Sequence, residues 1–109
     1  MSGKGKKGGD KGGELKPCVQ IKVRHILCEK QSKALEAYNL ITQEGKSFAD
    51  VAMQFSEDKA RQGGSLGWKQ RGDLAGSFSE KAFSMPIGVV CEPIRTQFGY
   101  HVILVEDRK

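Results

Sequence analysis

The chain has 109 residues, a net charge of +5 and 38% hydrophobic residues, which allows one domain with a core of modest size. No apolar run approaches the roughly 18 residues of a membrane-spanning helix, and no signal-peptide pattern is present, so neither a membrane protein nor a secreted one is expected. The three cysteines form no CxxC pair, and their odd number argues against a disulfide framework and favours a reducing compartment.

The N-terminal residues differ in composition from the rest of the chain. The first seventeen hold six glycines and five lysines and have very little aliphatic surface. Such a segment buries too little apolar area to offset the entropy of ordering, so we predict a flexible tail over residues 1–18 and a folded domain over residues 19–109. A lysine-rich arm is attracted to the phosphates of nucleic acid, and the candidate contacts are Lys4, Lys6, Lys7 and Lys11. A solvated linker fits this composition equally well.

The first half of the folded part predicts one strand followed by two helices. Residues 19–28 are rich in β-branched side chains and are typical of a strand. Ser32 is a candidate N-cap for a helix that ends at Gly45. A capping box at Ser47 and Asp50 then predicts a second helix, whose apolar stripe is Phe48, Val51, Ala52 and Phe55.

The second half predicts strand, helix, strand, strand. Glycines at positions 63, 64 and 67 indicate irregular backbone or a close approach, and a short strand follows near residues 66–70. A capping box at Ser77 and Glu80 predicts a third helix with Phe78, Ala82 and Phe83 facing inward, stopped by Met85 and Pro86. Strands near 90–94 and 100–106 close the chain. This order favours an α+β fold, with helices over a four-stranded, mostly antiparallel sheet.

The only two histidines, His25 and His101, lie in the first and last predicted strands. Strand alternation gives His25 the same face as Val23 and Leu27, and His101 the same face as Ile103, so both rings are predicted on the core side. A buried polar ring needs a hydrogen-bond partner. The other histidine is the simplest partner if these strands are adjacent; two separately satisfied core histidines are the alternative.

Five segments carry a resemblance to a known family. They occur in the following order at matching distances: Val23-Arg24-His25-Ile26-Leu27, Phe55-Ser56-Glu57-Asp58, Gly63-Gly64-Ser65-Leu66-Gly67, Phe78 to Phe83, and Phe98-Gly99-Tyr100-His101-Val102-Ile103. Together they resemble the parvulins, which are peptidyl-prolyl cis/trans isomerases, over about residues 20–109. The resemblance is greatest to the small eukaryotic parvulins, which also carry a basic, glycine-rich arm. It implies a parvulin-like fold of the FKBP-like superfold, with about three helices.

The resemblance also implies an isomerase that needs no cofactor and no metal. The family's paired histidines match His25 and His101, and Asp58 stands where phosphate-directed parvulins carry a cysteine. These three are the candidate catalytic residues. The candidate substrate-binding residues, by the same matching, are Leu66, Leu74, Phe78, Thr96 and Phe98.

Several residues have a second interpretation from the sequence alone. Asp58 is also a common residue in turns, and the three apolar candidates would otherwise be ordinary core. Trp68 is predicted to pack outside the sheet rather than in the site, while Met53 and Phe55 are predicted core residues. Cys28 and Cys91 are predicted as small buried side chains rather than reactive thiols.

The segment after the first strand departs from the phosphate-directed parvulins. Those relatives have a longer loop with a lysine and adjacent arginines, whereas only Glu29, Lys30 and Gln31 separate Cys28 from Ser32 here. We therefore expect no requirement for a phosphorylated residue before proline. The acidic Asp58 instead suits neutral or basic residues at that position.

The predicted partners are proline-containing proteins or peptides, and the expected roles are protein folding or ribonucleoprotein and chromatin assembly. The alternative is a non-catalytic binding module or chaperone for proline-bearing segments, recruited to nucleic acid by its basic tail. The resemblance implies nuclear or cytoplasmic residence with an association to pre-ribosomal particles, and a mitochondrial form in some relatives. A monomer with no membrane contact is expected.

Overall fold

The computed structural model describes residues 17–58 and 62–109. Within these residues the chain forms four strands and three α-helices, in the order β1 (Gln20–Cys28), α1 (Gln31–Thr42), α2 (Phe48–Phe55), β2 (Ser65–Gln70), α3 (Gly76–Phe83), β3 (Ile94–Thr96) and β4 (Gly99–Arg108). Single turns of 3₁₀-helix precede and follow β2, at Gln62–Gly64 and Arg71–Asp73.

The first and last strands are adjacent in the centre of one sheet. The strand order is β2-β1-β4-β3, and every pairing between these strands is antiparallel. His25 lies opposite Ile103 and Leu27 lies opposite His101, so the two histidines are diagonal neighbours. The predicted α+β fold is confirmed.

Helices cover both faces of this sheet. On one face α3 packs against apolar side chains of the two central strands, which include Ile21, Val23, Ile103 and Val105. On the other face α1 and α2 pack against Ile26, Cys28 and Val102. Because side chains alternate along a strand, His25 and His101 belong to the face that α3 covers. Two buried faces also explain why β1 and β4 are apolar over long stretches.

Two of the three predicted helix starts are wrong. Helix α1 begins at Gln31 with Lys30 as its N-cap, not at Ser32. Helix α3 begins at Gly76, and the Ser77 hydroxyl donates to the carbonyl of Arg95, 3.0 Å away, so it is engaged with β3 rather than with its own helix. The predicted start of α2 is confirmed, since Ser47 Oγ accepts from the N–H of Asp50 at 3.3 Å.

Strand β3 is shorter and later than predicted. It was expected over residues 90–94 but covers Ile94–Thr96, and Val90 makes only an isolated bridge to Leu104. Pro93 interrupts the segment because a proline has no N–H to give to the ladder. The turn that joins β3 to β4 falls at residues 97–98, as predicted.

The other packing predictions are mostly confirmed. Cys28 and Cys91 are buried, and the ring of Trp68 lies beneath the ammonium group of Lys109 at 4.3 Å. Phe55 packs against the cluster under α1 and α2. The prediction for Met53 is wrong, because its side chain is 63% exposed and falls outside the buried stripe of α2.

Candidate active site

The two histidine rings lie against each other beneath α3. Nδ1 of His25 is 3.0 Å from Nδ1 of His101, and the rings are stacked with their planes 22° apart. Both residues are buried, at 6% and 4% exposure. The structure therefore brings together two of the three candidate catalytic residues, and each is the buried partner that the other needs.

A chain of hydrogen bonds extends from this pair in both directions. His25 Nε2 is 2.9 Å from Oδ2 of Asp58, His101 Nε2 is 2.7 Å from Oγ1 of Thr96, and the N–H of Phe98 donates to the same Oγ1 at 3.1 Å. A carboxylate only accepts, so Nε2 of His25 donates, and a neutral His25 then accepts at Nδ1. His101 consequently donates from Nδ1 and accepts the hydroxyl hydrogen of Thr96 at Nε2.

Every donor in this chain points towards the carboxylate. One proton per imidazole satisfies all of the contacts, and a second N–H on both rings would set two hydrogens against each other across the 3.0 Å gap between the Nδ1 atoms. The pair therefore accepts at most one additional proton. Asp58 ends the chain at the rim of the site, where its side chain is 22% exposed.

The pKa of His101 is lowered from its ordinary 6.5 to about 4. Burial is the main cause, because it removes the water that would solvate an imidazolium. The neighbouring His25 lowers the pKa further, and the carboxylate of Asp58 acts in the opposite direction. At neutral pH His101 is therefore an uncharged ring.

A groove of about 320 Å³ opens above the histidines. Phe78 of α3 forms its floor, with the ring edge-on to His101 at 5.1 Å and to His25 at 5.8 Å between centroids. Leu66 and Leu74 are half-buried walls, and the exposed Phe98 stands at the rim. The apolar candidates thus meet in one place, next to Asp58.

Three residues that line the groove were not predicted, namely Leu27, Asp73 and Ala75. Leu27 is two residues from His25 on the same face of β1, so strand alternation contained the signal. Asp73 lies in the 3₁₀ turn after β2, where its carboxylate accepts the N–H of Gln70 at 2.9 Å. Thr96 is not among the residues that line the groove, and it reaches the site only through its contact with His101.

The paired glycines before β2 allow the chain to pass close to the site. Gly64 has φ +79°, and a Cβ at this position would collide with the carbonyl oxygen of His25. Both the left-handed backbone and the close approach require glycine here. Contact with β1 therefore explains Gly64 in the glycine cluster, whereas Gly67 has a positive φ but no such contact.

The predicted tail contacts Lys4, Lys6, Lys7 and Lys11 lie outside the described residues. Across residues 17–58 and 62–109, no group of three metal-binding side chains comes together. The helices of the described part of the chain are all too short or too polar to cross a membrane.

The sequence matches the family model described as the PPIC-type PPIase domain over residues 7–109. It is 46% identical over 119 residues to the peptidyl-prolyl cis-trans isomerase PIN4 of Gibberella zeae, covering 94% of this chain and 89% of that protein. It is also 49% identical over 104 residues to the peptidyl-prolyl cis-trans isomerase pin4 of Emericella nidulans, covering 92% and 80%.

The fold is similar to that of solved isomerases. The solution structure of NmPin, the parvulin of Nitrosopumilus maritimus, superposes with a TM-score of 0.74 at 36% identity, covering 84% of this chain and all of that one. The peptidylprolyl isomerase PrsA from Bacillus anthracis superposes with a TM-score of 0.80 at 31% identity, covering 84% of this chain and 43% of the larger one.

Proposed function

This chain belongs to the PPIC-type peptidyl-prolyl isomerase family, the parvulins, and we propose that it isomerises Xaa-Pro bonds in which the residue before proline is neutral or basic and needs no phosphate. The observation that carries the proposal is the groove itself. It combines an apolar surface with the carboxylate of Asp58, which a buried hydrogen-bond chain holds at the edge of the groove.

The reaction breaks no bond and needs no external reagent. An Xaa-Pro amide turns over a barrier of roughly 18–20 kcal/mol, because twisting destroys the resonance between nitrogen and carbonyl. A catalyst has to favour the twisted amide over both planar forms. The groups that bind the proline ring therefore have a different role from the groups that stabilise the twisted amide.

The apolar residues supply the binding. A proline ring placed against Leu66, Leu74 and Phe78 gains about 2 kcal/mol from the area that it buries. This gain is the same for the planar and twisted amides, so it improves binding without lowering the barrier. Its role is to hold the ring still while the preceding carbonyl rotates.

We assign the selective stabilisation of the twisted amide to Asp58. Resonance in the planar amide places negative charge on the carbonyl oxygen, and twisting returns that charge to nitrogen. A carboxylate beside the rotating carbonyl therefore disfavours the planar forms relative to the twisted one. An advantage of about 4 to 5 kcal/mol corresponds to a rate increase of about a thousandfold or more. The histidines act indirectly, since the donor at His25 Nε2 fixes where the carboxylate lies.

The charges around the groove argue against a phosphorylated substrate. The charged side chains lining it, among the described residues, are Asp58 and Asp73, which repel a phosphate and attract a basic residue. The segment between β1 and α1 is only Glu29 and Lys30. The next lysine, Lys33, lies 3.7 Å from the carboxylate of Glu36.

The proposal is tested by measuring cis/trans exchange in three peptides that differ only before proline, with arginine, alanine or phosphoserine. We expect turnover of the first two and at least tenfold slower turnover of the third. Asp58→Asn should reduce turnover, and it should make the turnover rates of the arginine and phosphoserine peptides more similar. The matched control is Asp107→Asn, which removes one carboxylate from the exposed end of β4 and should change neither result.

Two outcomes would overturn the proposal. Equal turnover of the arginine and phosphoserine peptides would remove the claim about substrate charge. Peptide binding without any acceleration by the unmodified chain would remove the claim of catalysis, and the domain would then act as a binding module.

The composition of the tail supports a second role, which is to bring the isomerase to nucleic acid. Four lysines at positions 4, 6, 7 and 11 lie within eight residues of chain, and lysines bind phosphates by releasing counterions. Replacing all four with glutamine should weaken binding to duplex DNA and flatten its salt dependence, while peptide turnover stays unchanged. Unaltered DNA binding would contradict this role.

A further inference from the structure

Ser56 joins the end of α2 to the turn that carries Asp58. Its side chain is only 2% exposed. The hydroxyl oxygen accepts the N–H of Leu27 at 3.1 Å and the N–H of Asp58 at 3.2 Å. One buried oxygen atom therefore holds the backbone of β1 and the backbone of Asp58 at the same time.

The same turn supplies hydrogen-bond partners for the backbone at the end of β1. Pairing between β1 and β2 ends at Arg24 and Ser65, which leaves the last residues of β1 without a strand on that side. The N–H of Glu57 donates to the carbonyl of Leu27 at 2.7 Å, so Ser56 and Glu57 together satisfy both backbone groups of Leu27. Leu27 lies two residues beyond His25 and on the same face.

A second contact holds the chain on the other side of His25. The guanidinium of Arg24 donates to the carbonyl of Gly63 at 2.8 Å and to Oε2 of Glu106 at 2.8 Å. Ser56 and Gly63 are thus attached to β1 at Leu27 and at Arg24. These two attachment points flank the histidine that Asp58 contacts.

We propose that Ser56 is a positioning residue that sets the carboxylate of Asp58 against Nε2 of His25, an inference that rests on the proposed function of that carboxylate. Asp58 follows the end of α2 by three residues, and its side chain is 22% exposed. The N–H of Asp58 donates to Ser56 Oγ, which also accepts from Leu27 of β1, so Ser56 links Asp58 to the strand that bears His25. Because hydrogen bonds weaken steeply with distance and angle, a small shift of the turn loses the 2.9 Å contact.

A double-mutant cycle with Ser56→Ala and Asp58→Asn tests this proposal. If Ser56 acts through the carboxylate, Ser56→Ala should lower kcat/KM about tenfold in the unmodified chain and less than about twofold when Asp58 is already asparagine. The matched control is Ser79→Ala. Ser79 is another buried serine, whose hydroxyl donates to the carbonyl of Arg71 at 3.0 Å, and its effect should be the same factor in both backgrounds.

A second readout does not depend on activity. The ¹⁵N signals of the His25 and His101 rings report which nitrogen carries the hydrogen, and Ser56→Ala should move those of His25 as Asp58→Asn does. Ser79→Ala should leave them in place. If the unmodified chain accelerates no exchange, the proposed function fails, while the ring signals still decide whether Ser56 places the carboxylate.

Two results would overturn the inference. One is an equal loss from Ser56→Ala with and without the carboxylate, and the other is a His25 ring whose signals do not respond. Should Ser56→Ala fail to fold, Arg24→Gln removes the second attachment point and is put through the same cycle with the same expectations.

Discussion

The buried His101 ring should make the free energy of unfolding depend on pH between about 4 and 6.5. Its pKa is about 4 in the folded chain, chiefly because of burial, against an ordinary value of 6.5. Between these values the unfolded chain binds a proton that the folded chain does not, so stability falls as the pH is lowered. A shift of this size corresponds to about 3 kcal/mol when the whole window is crossed.

The measurement is urea unfolding, followed by circular dichroism, at a series of pH values from 7.5 to 4.5. Carboxylates titrate in the same range, so the variant His101→Gln provides the reference. Glutamine keeps a donor and an acceptor but does not titrate. Between pH 7.5 and 4.5 the unmodified chain should lose about 2 to 3 kcal/mol more than the variant does.

The direction of the change is as informative as its size. A His101 held charged by Asp58 would have a raised pKa, and the unmodified chain would then gain stability relative to the variant as the pH falls. Parallel curves, or curves that diverge in that opposite sense, would refute the neutral, acceptor role that the hydrogen-bond chain assigns to His101 Nε2.

Two further predictions use matched pairs. Both Gly64 and Gly67 have positive φ, but only a Cβ at Gly64 meets the carbonyl of His25. In urea unfolding, Gly64→Ala should therefore lower the free energy of unfolding by at least about 2 kcal/mol more than Gly67→Ala does. Equal losses would mean that backbone conformation alone requires glycine. Phe78 and Phe83 are both 3% exposed on α3, but only Phe78 lines the groove. Replacing either with leucine should cost similar stability, about 1 to 2 kcal/mol, whereas only Phe78→Leu should reduce kcat/KM, and equal losses of activity would contradict the groove assignment.

The fold was predictable where one pattern extended over a whole element. Alternation along β1 and β4 placed both histidines on the buried face, and the spacing in α2 gave its apolar stripe. These patterns depend only on the periods of a strand and a helix. Adjacency of the first and last strands was a hypothesis about topology, and the need of two buried imidazoles for partners favoured it.

The element boundaries were less predictable because tertiary contacts decide them. Ser77 has the spacing of a cap, yet its hydroxyl donates to Arg95, which is 18 residues away. Likewise, no local signal distinguishes the carboxylate of Asp58 from that of an ordinary turn residue. Its contact with His25, 33 residues earlier, depends on a turn that β1 holds in place through Ser56. Family resemblance supplied that residue where local pattern did not.

The placement of the histidines in the centre of the sheet has a physical consequence for the groove. Polar rings are costly at such positions unless each donor and acceptor is satisfied, and the chain from the N–H of Phe98 to Asp58 satisfies them in one direction only. An apolar pair of similar volume would fill the core equally well, but the carboxylate at the rim would then lose the donor at His25 Nε2. The two buried histidines therefore fix the position of the partly exposed carboxylate of Asp58. A charge that is fixed in advance is what electrostatic preorganisation requires.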